Sequence, residues 1–219
     1  MGRVSHMALQ WNALAFAYPG AAPMLAGWRW QAQPGLVQLV DGWGVGKTTA
    51  LQLLADRLQG MGGALLIDGR APAHWRATGD VFWHEPRKPE TMPASTTLVA
   101  DWAGQLKDQC AHWDDAWLLE LQQGLGLAPH WHKPLLALST GSLRKVVMAL
   151  GLASGARLVL LDELLSGLDR TATIFVQQAL QTAAVRFAQQ GRYLVLAHYE
   201  PLLAAGAAHG AVQVVELPR

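Results

Sequence analysis

The chain holds a single cysteine, Cys110, so no internal disulfide can form and a reducing compartment is expected. Excess charge is also missing. Seventeen Lys and Arg stand against sixteen Asp and Glu, a formal net charge of +1, without the basic block that marks a nucleic-acid footprint. Nucleic acid is therefore not an expected partner. No stretch approaches the roughly eighteen consecutive apolar residues of a membrane span, because charges or glycines interrupt every hydrophobic run. No positively charged leader followed by an apolar run and a cleavage site stands at the start, and the opening MGRVSHM (1–7) reads as a tag remnant ahead of a start at Met7. A cytoplasmic chain is expected. Internal repeats, low-complexity tracts and the N-K-x-D base-recognition motif of GTPases are absent.

What is present is ample apolar material: 51% of the 219 residues are hydrophobic, enough for a substantial core. Ten tryptophans and a mean hydropathy of +0.14 point either to a tryptophan-rich core or to apolar surface covered by a partner, and the core is the simpler reading.

Along the chain, LVQLV (36–40) has the valine content of a buried strand and runs directly into a glycine-rich turn. From Thr48 onward Leu51, Leu54, Ala55 and Leu58 recur at helical spacing until Gly60, Gly62 and Gly63, and a second strand, ALLI (64–67), follows. Residues 72–97 are proline-rich and lack periodicity, as in an irregular connection between two lobes. Trp102, Leu106, Cys110, Trp113, Trp117 and Leu121 then predict one face of a single long helix, which makes Cys110 a buried, inert thiol. A further helix begins near Ser139, RLVLL (157–161) is a buried strand, a helix spans roughly 170–190, and YLVLA (193–197) is another strand. Strands alternating with helices argue for an α/β fold with a largely parallel sheet, whose chemistry belongs at the carboxyl ends of the strands. Lys47, Asp162, Glu163 and His198 all fall at such ends.

The stretch DGWGVGKTT (41–49) approximates the phosphate-binding pattern G-x-x-x-x-G-K-[ST], with Asp41 at the first glycine. Gly42, Gly44 and Gly46 let the backbone wrap around phosphate oxygens, and the helix starting at Lys47 adds its positive end. Lys47 supplies a full charge, and Thr48 offers a hydroxyl to Mg²⁺. The bland alternative is a glycine-rich turn with an accidental lysine. Asp162 and Glu163, at the end of an apolar strand, suit metal support and the deprotonation of a water, although two acids there could also cap a turn. HWH (130–132) has two histidines but no accompanying cysteine or acid pair, and reads as a surface loop rather than a metal site.

LSTGSLRKVVMALGLASGARLVLLDELLSGLD (138–169) resembles the stretch of ATP-binding cassette (ABC) ATPases from the signature motif through Walker B to the D-loop. Ser139 and Gly141 match the signature LSGGQ while Thr140 and Ser142 depart; LLDE matches Walker B; SGLD (166–169) matches the D-loop, with Leu164 where proline is usual. His198 matches the switch histidine, and Tyr18 stands where the family stacks an aromatic ring on adenine.

The resemblance implies an α/β P-loop NTPase fold: a mostly parallel sheet, an N-terminal antiparallel β portion and an inserted helical lobe. It implies a single domain over 8–219, with a nucleotide-binding core of about 8–84 and 151–219 and a helical lobe of about 85–150. ATP and Mg²⁺ are the implied cofactors. Tyr18, Gly42, Gly44, Val45, Gly46, Lys47, Thr48, Thr49, Ser139, Gly141 and Asp169 would hold nucleotide, Thr48 and Asp162 the metal, with Glu163 and His198 catalytic. Such subunits form head-to-tail dimers, homo- or heteromeric, and drive a separately encoded integral membrane permease from the inner face of the membrane.

Departures from the family pattern qualify the expectation. Asp41 predicts weakened ATP binding and slow turnover, Trp43 replaces the usual asparagine, and His84 or Glu85 stands where the Q-loop has glutamine. The rival readings are a regulatory cassette with little turnover and a soluble P-loop small-molecule kinase with the helical lobe as its lid.

Overall fold

A computed structural model describes residues 7–41 and 46–218. The elements in chain order are β1 (Leu9–Asn12), β2 (Arg29–Ala32), β3 (Gly35–Val40), α1 (Lys47–Leu54), β4 (Ala64–Ile67), α2 (Pro72–Ala77) and β5 (Val81–Trp83). They continue with α3 (Val99–Gln109), α4 (Asp115–Gly124), α5 (Thr140–Ala153), β6 (Leu158–Asp162), α6 (Arg170–Gln190), β7 (Tyr193–His198) and β8 (Val212–Glu216). Five strands form a parallel sheet in the order β5-β6-β7-β3-β8. Three form a separate antiparallel sheet in the order β2-β1-β4.

The central strands β3, β6 and β7 are buried at every position, which is what covering both faces of a parallel sheet demands. Successive side chains alternate between the faces. Val37, Leu39, Leu158, Leu160 and Val195 face a core closed by α1 and the antiparallel sheet. Leu36, Val159, Leu161, Leu194 and Leu196 face a core built with α3, α4, α5 and α6. Five of the tryptophans, Trp11, Trp28, Trp83, Trp102 and Trp117, are buried in the core, and Trp30, Trp75, Trp113 and Trp131 are partly buried and pack against it.

The sequence expectations hold for β3, β4, α6 and β7 and fail at three places. ALLI is the expected strand; it pairs antiparallel with β1, and its alternating burial is that of a strand covered on one face only. Residues 72–97, expected as an irregular connection, hold α2, whose Pro72 sits in the first turn where its missing N–H costs nothing, and β5, which pairs with β6. α1 ends at Leu54, ahead of the glycines, because Asp56 turns into the left-handed region (φ 54°) and Arg57 N–H closes back on the Gln52 carbonyl; Leu58 lies outside the helix.

The single helix expected over 102–121 is two helices. Cys110 is extended, and Asp114 caps α4 by accepting from Trp117 N–H at 2.9 Å. The apolar period runs through the break because Trp102 and Trp117 bury into the same core. Cys110 ends up half-buried at the end of α3, and burial pushes its thiol up.

One polar cluster ties the two sheets together. Asp68, in the turn after β4, accepts from Tyr193 Oη at 2.7 Å, from Arg157 Nε at 2.8 Å and Nη2, and from Ala8 N–H at 3.1 Å. Burial and Asp68 hold the Tyr193 hydroxyl well above its ordinary pKa. Asp68 also tolerates φ 51°, a conformation that strains most side chains. Asp68→Ala, leaving a phenol and a guanidinium unmatched, is expected to cost about 2–4 kcal/mol of unfolding free energy in denaturant titration. Tyr193→Phe, which spares the ion pair, is expected to cost about 1 kcal/mol; equal losses would show that the ion pair contributes nothing.

Candidate active site

The parallel sheet sets its functional residues by register. Asp162 lies beside Ala197, Val40 lies beside His198, and Glu163 N–H donates to the Ala197 carbonyl at 3.0 Å. The ends of β3, β6 and β7 are thereby held at one level. Just beyond them a cavity of about 300 Å³ is lined by Tyr18, Met24, Gly46, Lys47, Thr48, Thr49, Arg87, Asp162 and Glu163.

Gly46 precedes α1 at φ 110°, a conformation that calls for glycine. Lys47, the first residue of α1, is buried to 7% exposure, and its ammonium donates to the Asp41 carbonyl at 2.8 Å with the Asp41 carboxylate at 3.4 Å. Thr48 Oγ1 donates to Asp162 Oδ2 at 2.6 Å, joining the start of α1 to the end of β6 across 114 residues of sequence. Burial, aided by the nearby Glu85 and Glu163, pushes the Asp162 carboxyl above its ordinary range, against the Thr48 hydrogen bond and Arg87. Glu163 follows at φ 50°, a left-handed position for a side chain with no turn-forming habit; such strain concentrates at functional sites. Tyr18 is 41% exposed at the mouth, its ring edge-on to Phe16, and its hydroxyl shares a hydrogen bond with Thr49 Oγ1 at 3.1 Å.

The geometry separates the two Q-loop candidates. His84 turns away from the cavity: its Nδ1–H donates to the Thr91 carbonyl, its ring meets Phe82 and Trp102 edge-on, and burial pulls its imidazole down. Glu85 is buried toward the site and accepts from Arg87 Nε at 2.9 Å, while Arg87 Nη2 donates to Asp162 Oδ2 at 3.0 Å. Arg87 was not singled out by any sequence pattern.

His198 is buried at the end of β7 with Nδ1–H on the Glu200 carbonyl at 3.0 Å, beside the cavity wall rather than in it. Ser139, Gly141 and Asp169 form a different surface. Ser139 caps α5 by accepting from Ser142 N–H at 3.1 Å, and Asp169 caps α6 by accepting from Ala172 N–H at 2.8 Å, which lowers its carboxyl. The two helix starts are locked together. A side chain at Gly141 would meet the Gly167 carbonyl at 2.5 Å, Arg144 Nη1 donates to the Ser166 carbonyl at 2.6 Å, and Lys145 pairs with Asp169 at 3.5 Å.

His130 Nε2 shares a 3.3 Å hydrogen bond with Ser142 Oγ on that surface. Gly42, Trp43, Gly44 and Val45 lie outside the described residues.

The family model described as ABC transporter matches residues 30–166. The phosphonates import ATP-binding protein PhnC 2 of Albidiferax ferrireducens is 30% identical over 207 residues, 86% of this chain and 73% of that protein. ABC transporter G family member 11 of Arabidopsis thaliana is 28% identical over 81% of this chain, which spans only 26% of that protein. Among solved structures, an ABC transporter ATP-binding protein from Pyrococcus furiosus superposes with a TM-score of 0.73 at 17% identity, covering 96% of this chain and 97% of that one.

Proposed function

The chain belongs to the ABC transporter family, and on that premise we propose that it binds and hydrolyses ATP as the motor subunit of a transporter. The observation that carries this reading is the meeting of Lys47, Thr48, Asp162 and Glu163 in one cavity, drawn from two distant segments by the Thr48–Asp162 hydrogen bond. Lys47 faces the phosphates with the N-terminal end of α1 behind it. Tyr18 offers its exposed ring to adenine at the mouth. Thr48 and Asp162 supply a hydroxyl and a carboxylate, oxygen donors that fit Mg²⁺. When bound, Mg²⁺ neutralises charge on the terminal phosphates. Glu163 takes the proton of the attacking water, and His198, at the end of the adjoining strand β7, senses the terminal phosphate from beside the cavity.

Ser139 and Gly141 stand on a surface apart from the cavity of their own chain, which accords with a head-to-tail dimer in which they reach the nucleotide of the partner cassette. We assign the core to about 8–84 and 151–219 and the helical lobe to about 85–150. The PhnC 2 relative is named an import ATP-binding protein, and by analogy this subunit acts on a separate permease at the inner face of the membrane. Among the described residues no helix is long and apolar enough to cross a membrane. An apolar groove of about 450 Å³, lined by Pro86, Met92, Leu136 and Leu143 among others, suits such a contact. Pro86 lies between Glu85 and Arg87, so an occupant of the groove would press on residues that reach Asp162.

The Lys47–Asp41 pair favours slow turnover. A carboxylate about 10 Å from a phosphate repels each of its charges by about 1–2 kcal/mol at an effective dielectric near 20. Asp41→Gly is expected to tighten ATP binding about tenfold, and an unchanged affinity in calorimetric titration would remove the penalty. Steady-state MgATP turnover tests the motor itself. Glu163→Gln is expected to lower it by about 100-fold or more while ATP still binds. Wild-type turnover in that variant would end the assignment of Glu163 as base, and a silent wild-type protein activated by Asp41→Gly would favour the regulatory cassette.

A further inference from the structure

Arg87 belongs to none of the motifs that define the site, yet it is built into it. The turn around it is internally bonded: Glu85 N–H donates to Thr91 Oγ1 at 2.9 Å, Lys88 N–H to the Glu85 carbonyl at 2.8 Å, and Thr91 Oγ1 to the Lys88 carbonyl at 2.8 Å. Glu85 Oε1 accepts both Arg87 N–H at 3.0 Å and Arg87 Nε at 2.9 Å. That carboxylate is 2% exposed, whereas the Arg87 side chain is 48% exposed. The guanidinium is thus anchored along one edge by a buried acid and open along the other. Its Nη2 rests on Asp162 Oδ2, the same oxygen that receives the Thr48 hydroxyl.

Charge in the cavity asks for such a group. Among the described residues lining it, Lys47 and Arg87 are the cations, and Lys47 is already engaged by the carbonyl and carboxylate of Asp41. Asp162 and Glu163 line the same cavity and Glu85 lies behind Arg87, so a triphosphate enters a site with more carboxylates than cations.

We propose that Arg87 is a phosphate-binding residue that exchanges Asp162 for the terminal phosphate of ATP, holding ATP in preference to ADP. The proposal rests on the nucleotide-binding reading above. Nε stays on Glu85 through the exchange, so only the Nη groups change partner and the planar fork is preset for two phosphate oxygens. Asp162, released by Arg87, is then available with Thr48 to a metal ion. The contribution of Arg87 is largest when Mg²⁺ is absent, because no other mobile cation then meets the terminal phosphate.

Calorimetric titration with ATP and with ADP, each in EDTA and in Mg²⁺, tests this on the wild-type protein, Arg87→Ala and Arg87→Lys. In EDTA, Arg87→Ala is expected to lose about 10- to 100-fold in ATP affinity, the worth of a charge-assisted hydrogen bond or two, with ADP affinity changed less than about twofold. Arg87→Lys recovers only part, since a lysine has no Nε edge for Glu85 to hold. An ATP-to-ADP preference in EDTA that is the same in wild type and Arg87→Ala overturns the proposal while leaving the nucleotide site intact. Should Arg87→Ala lose ADP binding as well, the preference in Arg87→Lys decides in the same way: reduced supports the exchange, unchanged overturns it. A wild-type protein that binds neither nucleotide removes the nucleotide-site reading and the role of Arg87 together.

Discussion

The parallel register of β6, β7 and β3 is the constraint on which the rest depends. These strands are buried along their whole length, so their backbone groups must pair within the sheet, and a slip of one residue would exchange the two apolar faces. With the register held, Val40, Asp162 and His198 end at one level, and the chain leaves β3 and β6 toward the same side. The Thr48–Asp162 hydrogen bond is a consequence of that alignment, and so is the cavity. The Asp68 cluster serves the same alignment from the opposite end, fastening the antiparallel sheet to the starts of β6 and β7.

Electrostatics in the cavity follow a single pattern: each cation is held by an acid from the same local segment. Lys47 meets Asp41 six residues before it, and Arg87 meets Glu85 two residues before it. Both charges are therefore present and oriented without nucleotide, and neither is left bare in a partly buried site, which would be costly. The arrangement also restrains binding, because phosphate must compete with carboxylates already in place. On the proposed reading, slow turnover and a preference for ATP over ADP would both be compatible with that competition.

Much of the fold was legible from local pattern. LVQLV and YLVLA read as buried strands because a strand covered on both faces is apolar at nearly every position, the buried Gln38 being satisfied by the Leu202 and Leu203 backbone, and residues 170–190 carry a helical period. α2 and β5 leave no readable period in residues 72–97, because one is six residues long and the other three, set among prolines. The break at Cys110 leaves no mark in the sequence pattern, since both helices bury tryptophan into one core and so preserve the period across the gap. β1 and β2 gave little signal beyond the family resemblance: each is four residues long, too short for the alternation of Trp11 and Trp30 with polar neighbours to stand out, and the two rings stack on each other across the strands.

The motifs around Lys47, Asp162 and Glu163 were determined by the sequence itself, because a phosphate loop and a strand ending in acids are local arrangements with local chemical reasons. The match to the ABC transporter family agrees with them. What only the tertiary structure decided is which side chains share an oxygen. Arg87 reaches Asp162 across 75 residues, and His84 turns away while Glu85, its neighbour, turns in. No period or spacing encodes that choice. It follows from the Phe82 and Trp102 rings that take His84 and from the carboxylate at the end of β6 that Thr48 and Arg87 share, which become adjacent only once the sheet has formed.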